Sequence, residues 1–164
     1  MKIDFDLDFL KSAIDLVDAS LEQLEAKGKS SPEPDTFGVF DEIEYIIGFG
    51  FVACQTYTTA TVGRSASKRK KSEVLALGPK HRSGRPIVQL INAAANHWKH
   101  SAEWAPLKPT NQEKQTVEVI RSLGVDPSEP YPIANMLHAM LTPNPILFKN
   151  LIPYLIQWRA SLPK

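Results

Sequence analysis

The stretch DFLKSAIDLVDASLEQLEAK, residues 8–27, decides the fold class of this 164-residue chain. Its apolar side chains recur at steps of four and three residues, at Leu10, Ile14, Val17, Leu21 and Leu24. Acidic residues fall on the opposite side of the same helix. This periodicity is typical of an amphipathic α-helix that packs one face against a core. The glycine and the two prolines that follow predict where this first helix ends.

Two longer helical segments follow in the middle of the chain. A second helix is expected over 36–62, a stretch without proline. Within it, Gly48 and Gly50 indicate either close packing against another helix or a break. The basic segment 64–71 reads as an exposed linker, and a third helix is expected over 86–104, with Pro86 in its first turn.

The C-terminal third of the chain contains the remaining predicted helices. Thr110 and Glu113 have the spacing of a capping box, which predicts a fourth helix to about residue 123. A short helix is expected over 133–141. Asn144 is expected to cap a last helix, ending near residue 162, in which Pro153 introduces a kink. The sequence therefore predicts an all-α helical bundle of five to six helices.

Length and composition favour one α-helical domain spanning 1–164, since about 150 residues is a usual domain size. With 43% apolar and 23% charged residues, the composition excludes disordered and collagen-like chains. The longest apolar run, 45–54, is about half the length of a membrane-spanning helix, so no membrane partner is expected. The acidic start of the chain is unlike a secretory signal. The single cysteine, Cys54, allows no intramolecular disulfide, so a reducing, cytoplasmic location is expected.

Charge is unevenly distributed along the chain, although the formal net charge is +1. Residues 1–45 carry twelve acidic side chains against four lysines, a net charge of −8. Residues 64–85 carry eight basic side chains against one acid, a net charge of +7. The two segments either neutralise each other or leave a positive surface for a polyanion such as nucleic acid. The candidate nucleic-acid-binding residues are Arg64, Lys68, Arg69, Lys70, Lys71, Lys80, Arg82 and Arg85.

The segment IVQLINAAANHWKHSAEW, residues 87–104, contains the candidate site. Polar residues follow one edge of this helix beside its apolar stripe, at Asn92, Asn96, His100 and Glu103. Imidazole is the usual general base near neutral pH, and asparagine orients a phosphate without adding charge. The pattern therefore indicates a site. The structural alternative is that Asn92 and Asn96 form hydrogen bonds between helices, while His100 pairs with Glu103.

The spacing of the histidines disfavours a metal site, and the surroundings of the single cysteine disfavour a nucleophile. His97, His100 and Glu103 lie three residues apart and drift around the helix, whereas zinc-binding helices place two ligands four residues apart. His138 would be a further ligand from another helix, but no metal site is predicted. Cys54 lies among apolar residues and is expected in the core. The sequence has no motif of NTPases, dinucleotide-binding proteins or serine hydrolases.

The segment Asn96-His97-Trp98-Lys99-His100, in a small helical bundle, resembles the HEPN superfamily. That superfamily is α-helical and commonly dimeric, and many members are metal-independent RNases of toxin–antitoxin and phage-defence systems. Its motif is an arginine, often followed by asparagine, with a histidine a few residues further on. Asn96 matches the asparagine and His100 the histidine. Ala95 stands where the family has arginine, the group that binds the scissile phosphate.

The resemblance implies an RNA-binding or RNA-cleaving module that needs no metal or other cofactor and forms a homodimer. His100 would be the general base on a ribose 2′-hydroxyl, and Asn96 would position the group attacked. Lys99, or a base from 64–85, would take the place of the missing arginine. The supporting residues would be Asn92, His97 and Glu103. The alternative is a non-catalytic helical protein that assembles with itself or with a protein partner, for which alanine at position 95 is expected.

Overall fold

Helices account for most of the residues that this computed structural model describes, namely 4–33, 38–64, 69–104 and 108–163. Seven α-helices lie in these segments: α1 (Phe5–Ser30), α2 (Val39–Arg64), α3 (Lys71–Leu75), α4 (Ile87–His100), α5 (Asn111–Arg121), α6 (Pro132–Leu141) and α7 (Ile152–Ala160). The described residues form no β-strand, only an isolated bridge between Lys80 and Pro86. The all-α prediction is therefore confirmed, and α3 adds a short helix to the predicted set.

The antiparallel pair of α1 and α2 forms the longest helical contact of the molecule. The predicted apolar stripe of α1 is its buried face, where Leu10, Ile14 and Leu21 are all buried. This helix begins before residue 8 because the side chain of Asp4 accepts a hydrogen bond from the backbone of Leu7 (3.2 Å). The predicted start of α2 at residue 36 lies outside the described residues.

Gly48 and Gly50 allow two large side chains to lie directly on α2. A Cβ at position 48 would lie 2.1 Å from Nε1 of Trp98, and a Cβ at position 50 would lie 2.5 Å from the ring of Phe148. Both separations are far shorter than van der Waals contact, so any larger residue would displace an aromatic ring. The prediction of close packing is therefore confirmed, and α2 continues through both glycines without a break.

The predicted third and fourth helices correspond to α4 and α5, and the predicted capping box is present at the start of α5. The side chain of Thr110 accepts a hydrogen bond from the backbone of Glu113 (3.1 Å), and the Glu113 carboxylate accepts one from the backbone of Thr110 (3.3 Å). Pro86 is the N-cap residue of α4 and precedes the helix, instead of lying in its first turn as predicted. This helix ends at His100 and continues as a 3₁₀ turn, Ser101–Glu103, instead of running as one helix to residue 104.

The C-terminal segment differs from the prediction of a single kinked helix. Residues Phe148–Leu151 form a 3₁₀ helix, and Pro153 lies in the first turn of α7, where a missing N–H costs little. The Asp18 carboxylate on α1 accepts hydrogen bonds from the backbone N–H groups of Phe148 (2.7 Å) and Lys149 (2.9 Å). A distant carboxylate thus replaces the predicted cap at Asn144. The predicted helix start at Asn144 and kink at Pro153 are wrong.

A second carboxylate caps α6 in the same way. Glu44 on α2 accepts hydrogen bonds from the backbone N–H groups of Ile133 and Ala134, both at 2.8 Å. Burial raises the pKa of the Glu44 and Asp18 carboxyls, and the backbone hydrogen bonds oppose that shift. Both carboxylates connect the N-terminal helix pair to the C-terminal helices.

The apolar side chains of the helices meet in one core. Its largest fully buried members include Trp158, Phe51 and Phe148. Cys54 is also fully buried, as predicted, and its burial raises the pKa of the thiol to about 12. Within the described segments, every helix is too short or too polar to cross a membrane.

Candidate functional site

A polar network joins α2 to the predicted polar edge of α4. At its centre is Gln55 of α2, of which only 6% is exposed. Its Nε2 donates hydrogen bonds to Oδ1 of Asn92 (3.0 Å) and Oδ1 of Asn96 (2.9 Å). Its Oε1 accepts a hydrogen bond from Nζ of Lys99 (2.7 Å). The hydrogen bonds between helices that were the structural alternative for Asn92 and Asn96 are therefore present.

Gln55 is the residue of this network that the sequence predictions missed. It lies four residues after Phe51 and three before Thr58, both of which are buried on α2. That spacing places Gln55 on the same side of the helix as the core residues. A polar side chain at such a position needs hydrogen-bond partners, because an unpaired buried amide is costly. This spacing is the signal that could have found it.

Lys99 brings a positive charge to the exposed edge of the network. Partial burial lowers the pKa of its ammonium, and the nearby charge of Lys71 lowers that pKa further. In the described part of the chain, neither lysine forms an ion pair with a carboxylate. Two neighbouring cations without an acidic partner are a favourable place for a phosphate group.

Some of the predicted basic residues are neutralised within the molecule. Arg64 forms an ion pair with Asp6 at the start of α1. Arg85 forms another with Glu118 of α5, at 2.6 Å. The Arg64–Asp6 contact shows that the acidic segment 1–45 and the basic segment 64–85 neutralise each other in part. Lys68 lies outside the described residues.

Other predicted basic residues remain exposed in two separate places. Arg69 and Lys70 are exposed immediately before Lys71, at the start of α3. Lys80 and Arg82 are exposed in the turn before α4. Because α4 extends from that turn, these two residues lie at the opposite end of the helix from Lys99.

His100 and Glu103 pair at the C-terminal end of α4. Nδ1 of His100 lies 3.2 Å from Oε2 of Glu103. This is the pairing expected of the structural alternative, and it also suits an oriented base. When Nδ1–H donates to the carboxylate, the lone pair of Nε2 is left to accept a proton. The imidazole side chain is 40% exposed.

His97 and Ala95 are both separated from this network by burial. The ring of His97 packs edge-on against Trp104, with centroids 5.3 Å apart. Burial lowers the pKa of His97, and a hydrogen bond to the carbonyl of Pro127 opposes that shift. Ala95 is fully buried, so the position of the family arginine presents no group to the site. The cation that the network does contain is Lys99.

The described residues contain no group of three or more histidine, cysteine, aspartate or glutamate side chains that could hold a metal ion. His100 is paired with Glu103, whereas His138 contacts Thr142 on its own helix. The structure therefore does not bring the two histidines into one ligand set.

Comparison with known proteins found no matching family model, curated protein or solved structure. The resemblance to the HEPN superfamily stays a prediction carried by residues 96–100. Around Gln55, the structure does bring together Asn92, Asn96 and Lys99 of the predicted site.

Proposed function

We propose that this chain is an RNA-binding module that cleaves RNA without a metal ion. The observation that carries the proposal is the ammonium of Lys99, which Gln55 holds at the surface near the charge of Lys71. Cations that neutralise backbone phosphates supply most of the sequence-independent affinity of a protein for nucleic acid. Asn96 lies one helical turn before His100, so phosphate-binding and proton-accepting groups lie along one edge of α4.

His100, Lys99 and Glu103 share the steps of the reaction. Nε2 of His100 takes the proton of a ribose 2′-hydroxyl, and the 2′-oxygen forms a bond to the adjacent phosphorus. The bond from phosphorus to the 5′-oxygen breaks, which leaves a 2′,3′-cyclic phosphate and a 5′-hydroxyl. Lys99 neutralises the charge that develops on the phosphate and, with its lowered pKa, donates the proton to the leaving oxygen. Glu103 holds the imidazole in place through its contact with Nδ1.

Cleavage is tested with end-labelled single-stranded RNA in the presence and absence of EDTA. We expect cleavage that resists EDTA and leaves a cyclic phosphate. His100→Gln should lower the rate by about a hundredfold or more, the usual contribution of a general base. His138→Gln, at an exposed histidine on α6, is the matched control and should retain activity. Cleavage that EDTA abolishes, or that folded His100→Gln retains, would contradict the proposed mechanism.

RNA binding is tested separately from cleavage, by fluorescence anisotropy over a range of salt concentrations. Lys71→Ala and Lys99→Ala should each weaken binding and lower the salt slope by about one. Lys11→Ala, at an exposed lysine of α1, is the control and should leave both quantities unchanged. Failure of the folded wild-type protein to bind RNA at low salt would overturn the proposal.

A second candidate function, assembly with itself or with a protein partner, is favoured by an exposed apolar stripe on α1. Phe9 and Leu16 are each 73% exposed, and Phe5 lies one turn before Phe9 on the same helix and is also exposed. A cluster of large apolar side chains in water is typical of a protein interface. Light scattering of the wild-type protein should then give the mass of a homodimer, and Leu16→Lys should give that of a monomer. A wild-type monomer that captures no partner through this stripe would contradict assembly.

A further inference from the structure

Three aromatic side chains lie together where α2 meets the last turns of α4. Trp98 packs edge-on against Tyr45, with centroids 6.1 Å apart, and in a tilted arrangement against Phe49, with centroids 5.1 Å apart. The indole of Trp98 lies directly on Gly48, where no side chain separates it from the helix. Tyr45 remains 62% exposed and Phe49 52% exposed. Trp98 therefore contacts both other rings of the cluster, and those two rings are exposed to solvent.

The exposed rings of Tyr45 and Phe49 differ from two other aromatic residues of α2. Phe51 and Tyr57, on the same helix, are buried in the core. Leaving a large aromatic side chain in water forgoes much of the free energy that burial would supply. Exposed aromatic rings can bind planar ligands by stacking, and nucleic-acid bases stack on aromatic side chains regardless of the base sequence.

The aromatic cluster and Lys99 of the proposed RNA site are both carried by the packed pair of α2 and α4. Trp98 directly precedes Lys99 on α4. On α2, Gln55 follows Phe49 by six residues, which corresponds to about 9 Å along the helix axis. Because Gln55 holds the Lys99 ammonium, the exposed rings and the cation lie within the reach of neighbouring nucleotides.

We propose that the substrate is single-stranded RNA, whose bases stack on Tyr45 and Phe49 while its phosphates contact Lys99 and Lys71. This inference rests on the proposed function and adds the class of RNA to it. Single strands bind proteins through a combination of aromatic stacking and a positively charged groove. A duplex keeps its bases stacked on one another, so it can use the cations but not the rings.

The test compares the binding of a labelled single-stranded RNA of about 12 nucleotides, within the usual site sizes, with that of the same RNA annealed to its complement. The double variant Tyr45→Leu/Phe49→Leu should lose at least about tenfold in affinity for the single strand and little for the duplex. Phe40→Leu, at an exposed ring near the start of α2, is the matched control. Phe49→Tyr keeps a ring to stack on and should bind as the wild type does. Circular dichroism verifies that each variant is folded.

The outcomes separate this inference from the proposed function. Equal binding of single-stranded and duplex RNA, unchanged in the double variant, overturns the stacking role and leaves RNA binding intact. Wild-type protein that binds neither RNA at low salt overturns the proposed function itself. A double variant that changes the mass of a protein assembly but not RNA affinity overturns the inference in favour of protein docking. Preference for the single strand that is lost only in the double variant supports it.

Discussion

Asp18 and Gln55 are both polar side chains buried between helices, but the hydrogen-bond partners of Asp18 lie inside the fold and one partner of Gln55 is an exposed residue. Asp18 is 5% exposed, and its carboxylate is satisfied by the backbone of Phe148 and Lys149 inside the fold. Gln55 is equally buried, but its carbonyl accepts from Lys99, an exposed residue. The partner, more than the burial, distinguishes Asp18, which joins two parts of the fold, from Gln55, which holds a charged side chain at the surface.

The largest expected effect is on stability, in Asp18→Ala. The substitution leaves two backbone N–H groups without acceptors at the start of the C-terminal 3₁₀ helix, which should cost about 3 kcal/mol. Urea unfolding followed by circular dichroism measures the loss. Asp15→Ala, at an exposed position of the same helix, should change the free energy of unfolding by less than about 0.5 kcal/mol. Equal losses in the two variants would contradict the structural role of Asp18.

A second prediction concerns Gly48, which supports the indole of Trp98 beside the Gln55 network. Gly48→Ala forces the ring away and should lower stability by about 2 kcal/mol, with a change in tryptophan fluorescence. Gly63→Ala, in the same helix, meets no atom within 4 Å and should raise stability by about 0.5 kcal/mol. If both variants shift the thermal midpoint in the same direction, the close approach of Trp98 does not determine the effect of a side chain at position 48.

A smaller loss is expected when Gln55 is replaced by leucine. Lys99 can turn into solvent and Asn92 and Asn96 are partly exposed, so water can replace the lost partner, and the cost should be about 1 kcal/mol. RNA affinity should fall severalfold, because Lys99 is no longer held near Lys71. Urea unfolding and fluorescence anisotropy measure the two effects on the same sample. A loss of stability as large as that of Asp18→Ala would remove the distinction between the two buried groups.

The smallest effect concerns the pH dependence of stability. Burial raises the pKa of the Asp18 carboxyl, so the folded state holds this proton more tightly than the unfolded chain does. The resulting stabilisation is fully present below about pH 4, the ordinary range of aspartate, and is lost as the pH rises through the raised pKa. Asp18→Asn cannot titrate, so its stability relative to the wild type should improve over that window. Urea midpoints of both proteins between about pH 3 and pH 7 test this, and a constant difference would contradict it.

The helices could be predicted from the sequence because their signals are local. The stripe from Leu10 to Leu24 repeats every three or four residues, and the capping box of Thr110 and Glu113 spans a single turn. Gly48 and Gly50 indicated close packing without indicating which rings would fill the space.

The contacts that could not be predicted join residues far apart in the chain. Asp18 caps a turn that begins 130 residues later, so Asn144 was the better candidate on local grounds. The polar edge of α4 was visible in the sequence, but its partner Gln55 lies on another helix. Tyr45 and Phe49 read as part of an apolar helix, and only the packing of Trp98 shows that their rings remain exposed.

The burial of Cys54 provides a chemical reporter of local opening. It is the single cysteine of the chain, and its pKa of about 12 leaves almost no reactive thiolate while the fold is closed. A thiol reagent can therefore label the protein only during local opening that exposes the buried face of α2. The labelling rate, compared with that of the unfolded chain, gives the free energy of those excursions. Because only one site can react, each labelled molecule records one opening event in this helix.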